Sequence, residues 1–320
     1  MKKMAVLVLA CAFAAHSLFS TAKAADSYPT KPIELTIGFA AGVSADIIAR
    51  KLAGIAEKEL GQPIVVTNRP GAGSALSVQY MARQKPDGYN ILWISNAIST
   101  AYLLGNMPVT YRDFDMIAGI TSEQSVISVR ADAKWKNFKE FVEDAKSRPE
   151  EISVANGGVG SFNHLTAVAL ENVLGVKFHH IPFSTSIVPP VLGGQVDSGC
   201  AMAFSNIPLA QSGELRLLVS TGLKPIETVK GVPTMIEEGY DFSMFMYRGV
   251  VAPKGTPKDI IAKVEAAFKV AAESEEFKEY ARQSSIDVNW MGADEFTTFI
   301  AKDFDFLSGL MEGMGIRKQK

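Results

Sequence analysis

The sequence predicts an α/β protein built around a mostly parallel β-sheet. Three observations favour this fold class: short apolar, β-branched runs recur along the chain, they alternate with segments of helical periodicity, and two helix starts carry clear capping signals. This alternation is typical of repeated βα units. The runs with strand character cover residues 34–39, 64–67, 90–94, 126–129, 152–155, 178–181 and 215–220.

The predicted helices follow the strands and have defined ends. In the first helix, apolar residues recur at steps of three and four, and Gly61 with Pro63 predicts its end. Asn137 and Glu140 have the spacing of a capping box before another amphipathic helix. Thr256 and Pro257 predict an N-cap followed by proline at the first helical position. The apolar residues of the first helix are Ala45, Ile48, Leu52 and Ile55.

The N-terminus predicts a secretory signal peptide over residues 1–24. Two lysines precede an uncharged stretch of about fifteen residues, and Ala22-Lys23-Ala24 fits the small-x-small cleavage pattern. Residues 8–11 weakly resemble a lipobox, but lipidation there would leave almost no apolar region. No later segment has about twenty uncharged apolar residues in a row. We therefore expect a soluble protein that is exported through a cleaved N-terminal signal peptide.

The composition without the leader excludes several function classes. Cys200 remains as the one cysteine, so we expect no intramolecular disulfide and stabilisation by core burial. About 296 residues are enough for two ordinary domains. The 29 basic and 34 acidic residues give a net charge of −5. Because phosphate contacts require a clustered basic excess, nucleic acid and anionic membrane surfaces are not expected partners.

The strand and helix pattern resets at two places, after residues 114–116 and around residues 240–247. A chain that leaves one domain, builds a second and returns would form a two-lobed protein with two crossovers. The residues alone permit this arrangement without establishing it.

The stretch from Gly38 to Arg50 places small residues between a strand and a helix. Up to four backbone N–H groups at such a helix start lack intrahelical partners, and the dipole adds roughly half a positive charge. The loop is therefore a general anion site, but it lacks both the P-loop and the dinucleotide-binding patterns. Ser44 is the expected N-cap and Asp46 lies in the first turn. A well-capped helix without a ligand explains the loop equally well.

Three further loops place polar residues at the ends of predicted strands. Residues 155–164 repeat the order of strand, small polar residues and helix, and Ser161 and Asn163 add side-chain donors. Ser95-Asn96 and residues 182–186 follow two other strands. Open α/β sheets bind ligands at the carboxyl ends of their strands. Each loop is a weak signal by itself, whereas the four together form a pattern.

Enzymatic and metal-binding functions have less support. The chain has no Gly-x-Ser-x-Gly elbow, and His164 has no identifiable acid partner. His179 and His180 are adjacent on a predicted strand, so their side chains point to opposite faces and are not expected to chelate one metal ion. Cys200 is expected to be a small buried apolar residue. The sequence thus predicts neither a metal site nor a cofactor.

A set of motifs in a fixed order resembles the periplasmic substrate-binding proteins of tripartite tricarboxylate transporters, the Bug family. The similarity covers essentially the whole chain after the leader. The motifs lie at residues 28–33, 39–46, 61–73, 85–89, 160–165, 192–197, 232–239 and 252–257.

The resemblance implies a bilobed type II periplasmic-binding-protein fold, with two α/β domains joined by two crossovers and a ligand cleft between them. Domain 1 would comprise residues 25–125 plus 246–320, and domain 2 residues 126–245. The protein would be a monomer without catalytic activity that captures a small carboxylate and delivers it to a membrane permease. The expected ligand-binding residues are Phe39, Ala41, Gly42, Val43, Ser44, Asp46, Ser95, Asn96, Gly160, Ser161, Asn163, His164, Phe183, Thr185 and Tyr247.

The chain departs from the family pattern at the expected pocket. Val43 replaces a glycine that is common there, and it would be strained if the position required a positive φ. Phe183-Ser184-Thr185 replaces Tyr-Lys-Gly, and Tyr247 replaces a common tryptophan. With no fixed cation identified, we expect backbone N–H groups and hydroxyls to hold an aromatic or aliphatic mono- or dicarboxylate rather than citrate.

Two alternatives from other functional classes stay open. The protein could present its ligand to a membrane receptor kinase as a sensor. A secreted hydrolase would use Ser161 and His164, which are three residues apart at a predicted helix start and can therefore face the same way.

Overall fold

The computed structural model describes residues 28–183 and 186–319, so the predicted signal peptide lies outside the described residues. The β-strands are β1 Ile33–Ile37, β2 Ile64–Asn68, β3 Asn90–Ser95, β4 Phe114–Arg130, β5 Ser153–Asn156, β6 His179–Pro182, β7 Ser198–Met202, β8 Leu215–Ser220, β9 Phe245–Pro253 and β10 Asp287–Gly292. The α-helices are α1 Ser44–Leu60, α2 Ala75–Met81, α3 Ala97–Leu103, α4 Phe138–Ser147, α5 Phe162–Leu174, α6 Val188–Leu192, α7 Ala203–Gln211, α8 Lys258–Glu273, α9 Glu275–Gln283 and α10 Ala293–Gly313.

The strands form two halves that share β4. In the first half the order is β2-β1-β3-β9-β4, and β10 also pairs with β4. In the second half the order is β4-β7-β5-β6, and β8 also pairs with β4. The prediction of a mostly parallel sheet is wrong: β1 is parallel to β2 and β3, and β5 to β6 and β7, but β4, β8, β9 and β10 form antiparallel pairs. The antiparallel strands are those that carry the chain between the halves or close each half against β4.

Strand β4 is the first crossover between two lobes. Gln124 pairs with Phe245 of β9, whereas the next residue, Ser125, pairs with Met202 of β7. The chain returns over residues 221–244, between the end of β8 and the start of β9. The fold is therefore a bilobed α/β fold with two crossovers, as the resemblance implies.

Burial of apolar side chains follows the predicted periodicity in the first lobe. Ile48 and Leu52 of α1 are fully buried, as are Ile33, Leu35 and Ile37 of β1. Each side chain of this size contributes about 1.5–3 kcal/mol when it is fully buried. The helix therefore packs its apolar face on the sheet and directs its N-terminus to the carboxyl end of β1.

The local helix signals are confirmed in part. Gly61 ends α1 and donates its N–H to the carbonyl of Glu57 at 2.9 Å. Asn137 caps α4, and its Oδ1 accepts from the Glu140 N–H at 2.9 Å. Pro257, however, is the N-cap of α8 rather than its first residue. The hydroxyl of Thr256, the predicted cap, donates instead to the carbonyl of Pro253 at 2.7 Å. Cys200 is buried as predicted, and burial raises the pKa of its thiol to about 12.

Among the helices of the described chain, none combines the length and the apolar character that crossing a bilayer requires. Within the same residues, no cluster of three or more His, Cys, Asp or Glu side chains is arranged to hold a metal ion.

Candidate functional site

The loop between β1 and α1 presents free backbone donors at the end of the first lobe. Asp46 and Ile47 both donate their N–H groups to the carbonyl of Val43, at 2.9 and 3.1 Å. Within residues 28–183 and 186–319, the N–H groups of Val43, Ser44 and Ala45 have no hydrogen-bond partner. Gly42 has φ 81°, which favours glycine, and Val43 has φ −81°, so Val43 is not strained. Val43 is also the N-cap, and Ser44, predicted as the cap, is the first helical residue.

The buried carboxylate of Asp46 holds this loop in place through three hydrogen bonds. It accepts from the Gly42 N–H, from Arg50 Nε and from Asn68 Nδ2, each at 2.9 Å. Burial alone would raise the pKa of Asp46, but the hydrogen bonds from Arg50, Gly42 and Asn68 outweigh it and lower the pKa. The side chain was expected to contact the ligand, but the structure uses its carboxylate to hold the loop.

A buried ion pair lies beside the start of α1. Oε2 of Glu123 in β4 accepts a hydrogen bond from the Ser44 hydroxyl at 3.0 Å. Oε1 of the same carboxylate accepts a hydrogen bond from Nε of Arg248 in β9. The side chains of Arg248 and Glu123 are 7% and 3% exposed. The structure thus has a buried and paired cation beside the first loop, where the sequence indicated none. The signal in the sequence was a single arginine within the apolar strand Phe245–Pro253, because buried charges are rare unless they are paired.

The second loop caps helix α5 and also leaves donors free. Ser161 is the N-cap, and its Oγ accepts from the His164 N–H at 3.3 Å. Gly160, with φ 79°, donates its N–H to His164 Nδ1 at 3.1 Å. In the described part of the chain, the N–H groups of Phe162 and Asn163 have no partner. This loop thus repeats the arrangement at the start of α1.

A buried polar network supports the second loop. His180 contacts Glu171 through Nε2 at 3.1 Å and Asn156 through Nδ1 at 2.9 Å. The rings of His164 and His180 meet edge to face, with their centroids 5.3 Å apart. Burial, followed by the charge of His180, lowers the pKa of His164. His164 is therefore neutral at pH 7 and accepts from Gly160 with Nδ1.

Strand β4, called the hinge strand below, contacts the N-terminal turns of both α1 and α5. Ser44 bonds to Glu123, and the Ser125 hydroxyl donates to Asn163 Oδ1 at 3.1 Å. Glu123 and Ser125 are alternate residues of β4, so their side chains lie on one face, about 7 Å apart along the strand. Helix α5 also contacts α10 of the first lobe. The loop before α1 and the loop before α5 therefore both adjoin the same stretch of β4.

Other predicted site residues lie elsewhere. Ser95 and Asn96 are each 2% exposed. The amide of Asn96 is satisfied inside the protein: its Nδ2 donates to Asp303 Oδ1 and its Oδ1 accepts from the Tyr247 N–H, each at 3.1 Å. Tyr247 is completely buried and packs edge-on against Phe296 and Phe299. These three residues belong to the core and offer almost no surface to a ligand.

The remaining predicted residues divide into exposed, half-buried and undescribed positions. Ala41, Gly42 and Val43 are exposed at the first loop, where Phe39 is half-buried. Phe183 is half-buried in the second lobe and donates its N–H to the carbonyl of Asn156 at 2.8 Å. Thr185 lies outside the described residues. Sequence reasoning missed Glu123, Ser125 and Arg248, since strand pairing rather than a local motif brings them to the site.

Solved structures of two proteins from Rhodopseudomonas palustris have the same fold. MatC with bound malate superposes with a TM-score of 0.74 at 24% identity, and covers 88% of this chain and 99% of that one. Rpa4515 with adipate superposes with a TM-score of 0.78 at 22% identity, and covers 91% of this chain and 99% of that one.

Closer relatives are similar along nearly the whole chain. The UPF0065 protein in the gbd 5' region of Cupriavidus necator is 32% identical over 303 residues, 92% of this chain and 90% of that protein. BugT of Bordetella pertussis is 30% identical over 305 residues, 92% of each chain. A TctC solute-binding protein from Polaromonas superposes with a TM-score of 0.81 at 31% identity, covering 89% of this chain and 99% of that one. Residues 48–316 match the tripartite tricarboxylate transporter family receptor, TctC, and the chain belongs to that family.

Proposed function

We propose that this protein captures a small carboxylate between its lobes outside the cytoplasm and delivers it to the permease of a tripartite tricarboxylate transporter. The observation that carries the proposal is the meeting of two helix N-termini, α1 and α5, at the hinge strand. Each has backbone N–H groups without a partner among the described residues. Both the N–H groups and the helix dipoles favour an anion. Hydrogen bonds to a charged acceptor contribute about 1.5–3 kcal/mol each, which suits a ligand that must later be released.

The proposed ligand is an aliphatic or aromatic mono- or dicarboxylate rather than citrate. The malate bound to MatC and the adipate bound to Rpa4515 support a small dicarboxylate. Val43 is 42% exposed on the first loop, and Phe183 is half-buried in the second lobe. Both side chains add apolar surface that favours a ligand with a hydrocarbon portion over one that is polar throughout.

The proposed role does not include catalysis. A hydrolase would need His164 to take a proton from the Ser161 hydroxyl. Instead, Nδ1 of His164 accepts from the Gly160 N–H, and Oγ of Ser161 accepts from the His164 N–H. Both side chains thereby stabilise the loop, which supports a binding role.

The proposed mechanism is closure of the two lobes in the periplasm. We take residues 25–125 plus 246–320 and residues 126–245 as the two domains, with β4 and residues 221–244 as the crossovers. A carboxylate bound at one helix N-terminus would attract the other, since both carry partial positive charge. The closed monomer would then present one continuous surface to the permease.

A thermal-shift screen with calorimetric follow-up tests this function. The panel is malate, succinate, adipate, benzoate and citrate, with succinamide and adipamide as uncharged controls. A ligand present at 100 times its Kd stabilises the folded state by about 2.7 kcal/mol, so a binding carboxylate raises the unfolding midpoint. Equal stabilisation by the diamides, or stabilisation by citrate alone, contradicts the proposal. Uptake by vesicles containing the permease, with and without this protein, tests delivery.

A further inference from the structure

The buried ion pair of Glu123 and Arg248 leaves part of the arginine unused. Arg248 donates through Nε to Glu123, but its Nη1 and Nη2 atoms have no acceptor among residues 28–183 and 186–319. Neither Nη atom is among the buried polar atoms that lack a partner, so both retain contact with open space. An arginine that is 93% buried therefore keeps one donor edge accessible, since its side chain is 7% exposed.

The position of Arg248 on β9 brings its side chain to the strand ends near the start of α1. Residues 249–253 beyond it are buried, whereas Phe245 and Met246, on the hinge side, are half-buried. Arg248 pairs with Ser95 of β3, at the carboxyl end of that strand. The guanidinium therefore lies at these strand ends, beside the loop that leads from β1 into α1.

Glu123 connects this arginine to the helix N-terminus. One carboxylate oxygen accepts Arg248 Nε and the other accepts the Ser44 hydroxyl at 3.0 Å. The free N–H groups of Ser44 and Ala45 and the free edge of Arg248 are thus held on either side of one carboxylate. Thr121, two residues before Glu123 on β4, is in register with Arg248 and has a buried hydroxyl without a partner in the described chain.

We propose that the Nη edge of Arg248 binds a carboxylate group of the ligand together with the N–H groups at the start of α1. Glu123 is the positioning residue that fixes the guanidinium. This proposal rests on the proposed function and specifies how the first lobe recognises its ligand. The planar guanidinium offers two parallel donors that match a carboxylate, which a lone helix N-terminus does not. Because Glu123 offsets the charge of Arg248, the site is close to neutral when it is empty.

A purely structural ion pair makes a different prediction. Removing either partner of such a pair breaks it, so substitution of Glu123 and of Arg248 would then weaken the protein in similar ways. If Arg248 binds the ligand, the two substitutions have opposite consequences. Loss of Arg248 removes ligand contacts, whereas loss of the Glu123 charge leaves a cation facing the ligand.

The test compares Arg248→Gln, Glu123→Gln and the double variant by titration calorimetry with those carboxylates of the panel that bind the wild type. We expect Arg248→Gln to raise Kd at least tenfold. Glu123→Gln keeps an oxygen that can accept from Arg248 Nε but leaves the charge of Arg248 uncompensated, so we expect it to lower Kd. Circular dichroism without ligand checks folding. If Arg248→Gln alone does not fold, the double variant, which buries no unpaired charge, carries the same expectation.

The outcomes separate this proposal from the proposed function. Carboxylate binding that survives Arg248→Gln within threefold overturns the role of Arg248 and leaves the proposed function intact. An equal loss of affinity in Glu123→Gln and Arg248→Gln also overturns it, because that result indicates a structural pair. Failure of the whole panel to bind the wild type overturns both.

Discussion

The hydroxyl of Ser125 donates to the amide oxygen of Asn163 at 3.1 Å, which joins the hinge strand to the first turn of α5. The amide oxygen is therefore occupied, and the Nδ2 group of Asn163 is the part available to a ligand. Asn163 is half-buried and stands at the positive end of the helix dipole.

Replacing Asn163 by Asp is expected to weaken carboxylate binding at least tenfold, or by about 1.4 kcal/mol. The new carboxylate keeps an acceptor for Ser125, but it removes the Nδ2 donor and repels an anionic ligand. Titration calorimetry with a panel carboxylate measures the effect. Asn172→Asp is the matched control, because Asn172 is exposed near the other end of the same helix. Equal affinities in the two variants would exclude Asn163 from the site.

Gly160 is expected to tolerate no side chain. Its φ of 79° costs an L-residue about 1–2 kcal/mol, and an added Cβ would lie 2.8 Å from Leu104 Cδ1. Gly160→Ala should therefore lower the free energy of unfolding by at least about 1 kcal/mol in urea titrations. Gly158→Ala is the control in the same loop, where an added Cβ meets nothing within 4 Å. Its stability should stay within about 0.5 kcal/mol of wild type, and a loss equal to that of Gly160→Ala would count against this explanation.

Helix starts and buried faces could be predicted from the sequence, whereas the electrostatics of the site could not. Gly61 and Asn137 act through neighbours within four residues, so local spacing revealed them. Arg248 meets Glu123 across 125 positions of the chain, and only the pairing of β9 with β4 brings them together. Tyr247 was predicted to contact the ligand for a similar reason. It is buried because α10, which is distant in sequence, packs against its face of β9.

The pH dependence of ligand binding is expected to follow His164. Burial lowers the pKa of His164 in the folded state. The neutral imidazole therefore contributes fully to the free energy of unfolding above the unfolded pKa of about 6.5. This contribution is lost as the pH falls through the lower pKa of the folded state. Protonation removes the acceptor for the Gly160 N–H and distorts the loop. Affinity for a carboxylate should therefore decrease as the pH falls below about 6.5.

His164→Asn separates this effect from other titrations. The Asn side-chain oxygen can replace Nδ1 as an acceptor but does not titrate. The variant should bind with a weaker dependence on pH, while His179→Asn, at an exposed position, should behave as wild type. An unchanged pH profile in His164→Asn would assign the effect to another group.

Asp303 is expected to destabilise the protein at neutral and alkaline pH. Burial raises the pKa of its carboxyl to about 7, despite the hydrogen bond from Asn96 Nδ2 at 3.1 Å. The folded state thus holds a proton that the unfolded state has lost, and stability declines as the pH rises from about 4 to about 7. Asp303→Asn retains an acceptor for Asn96 and carries no charge. At pH 8 it should raise the free energy of unfolding by at least about 1 kcal/mol, since one pKa unit corresponds to about 1.4 kcal/mol. At pH 4 the two proteins should unfold at nearly the same urea concentration, and a stabilisation of equal size at both pH values would show that charge is not the cause.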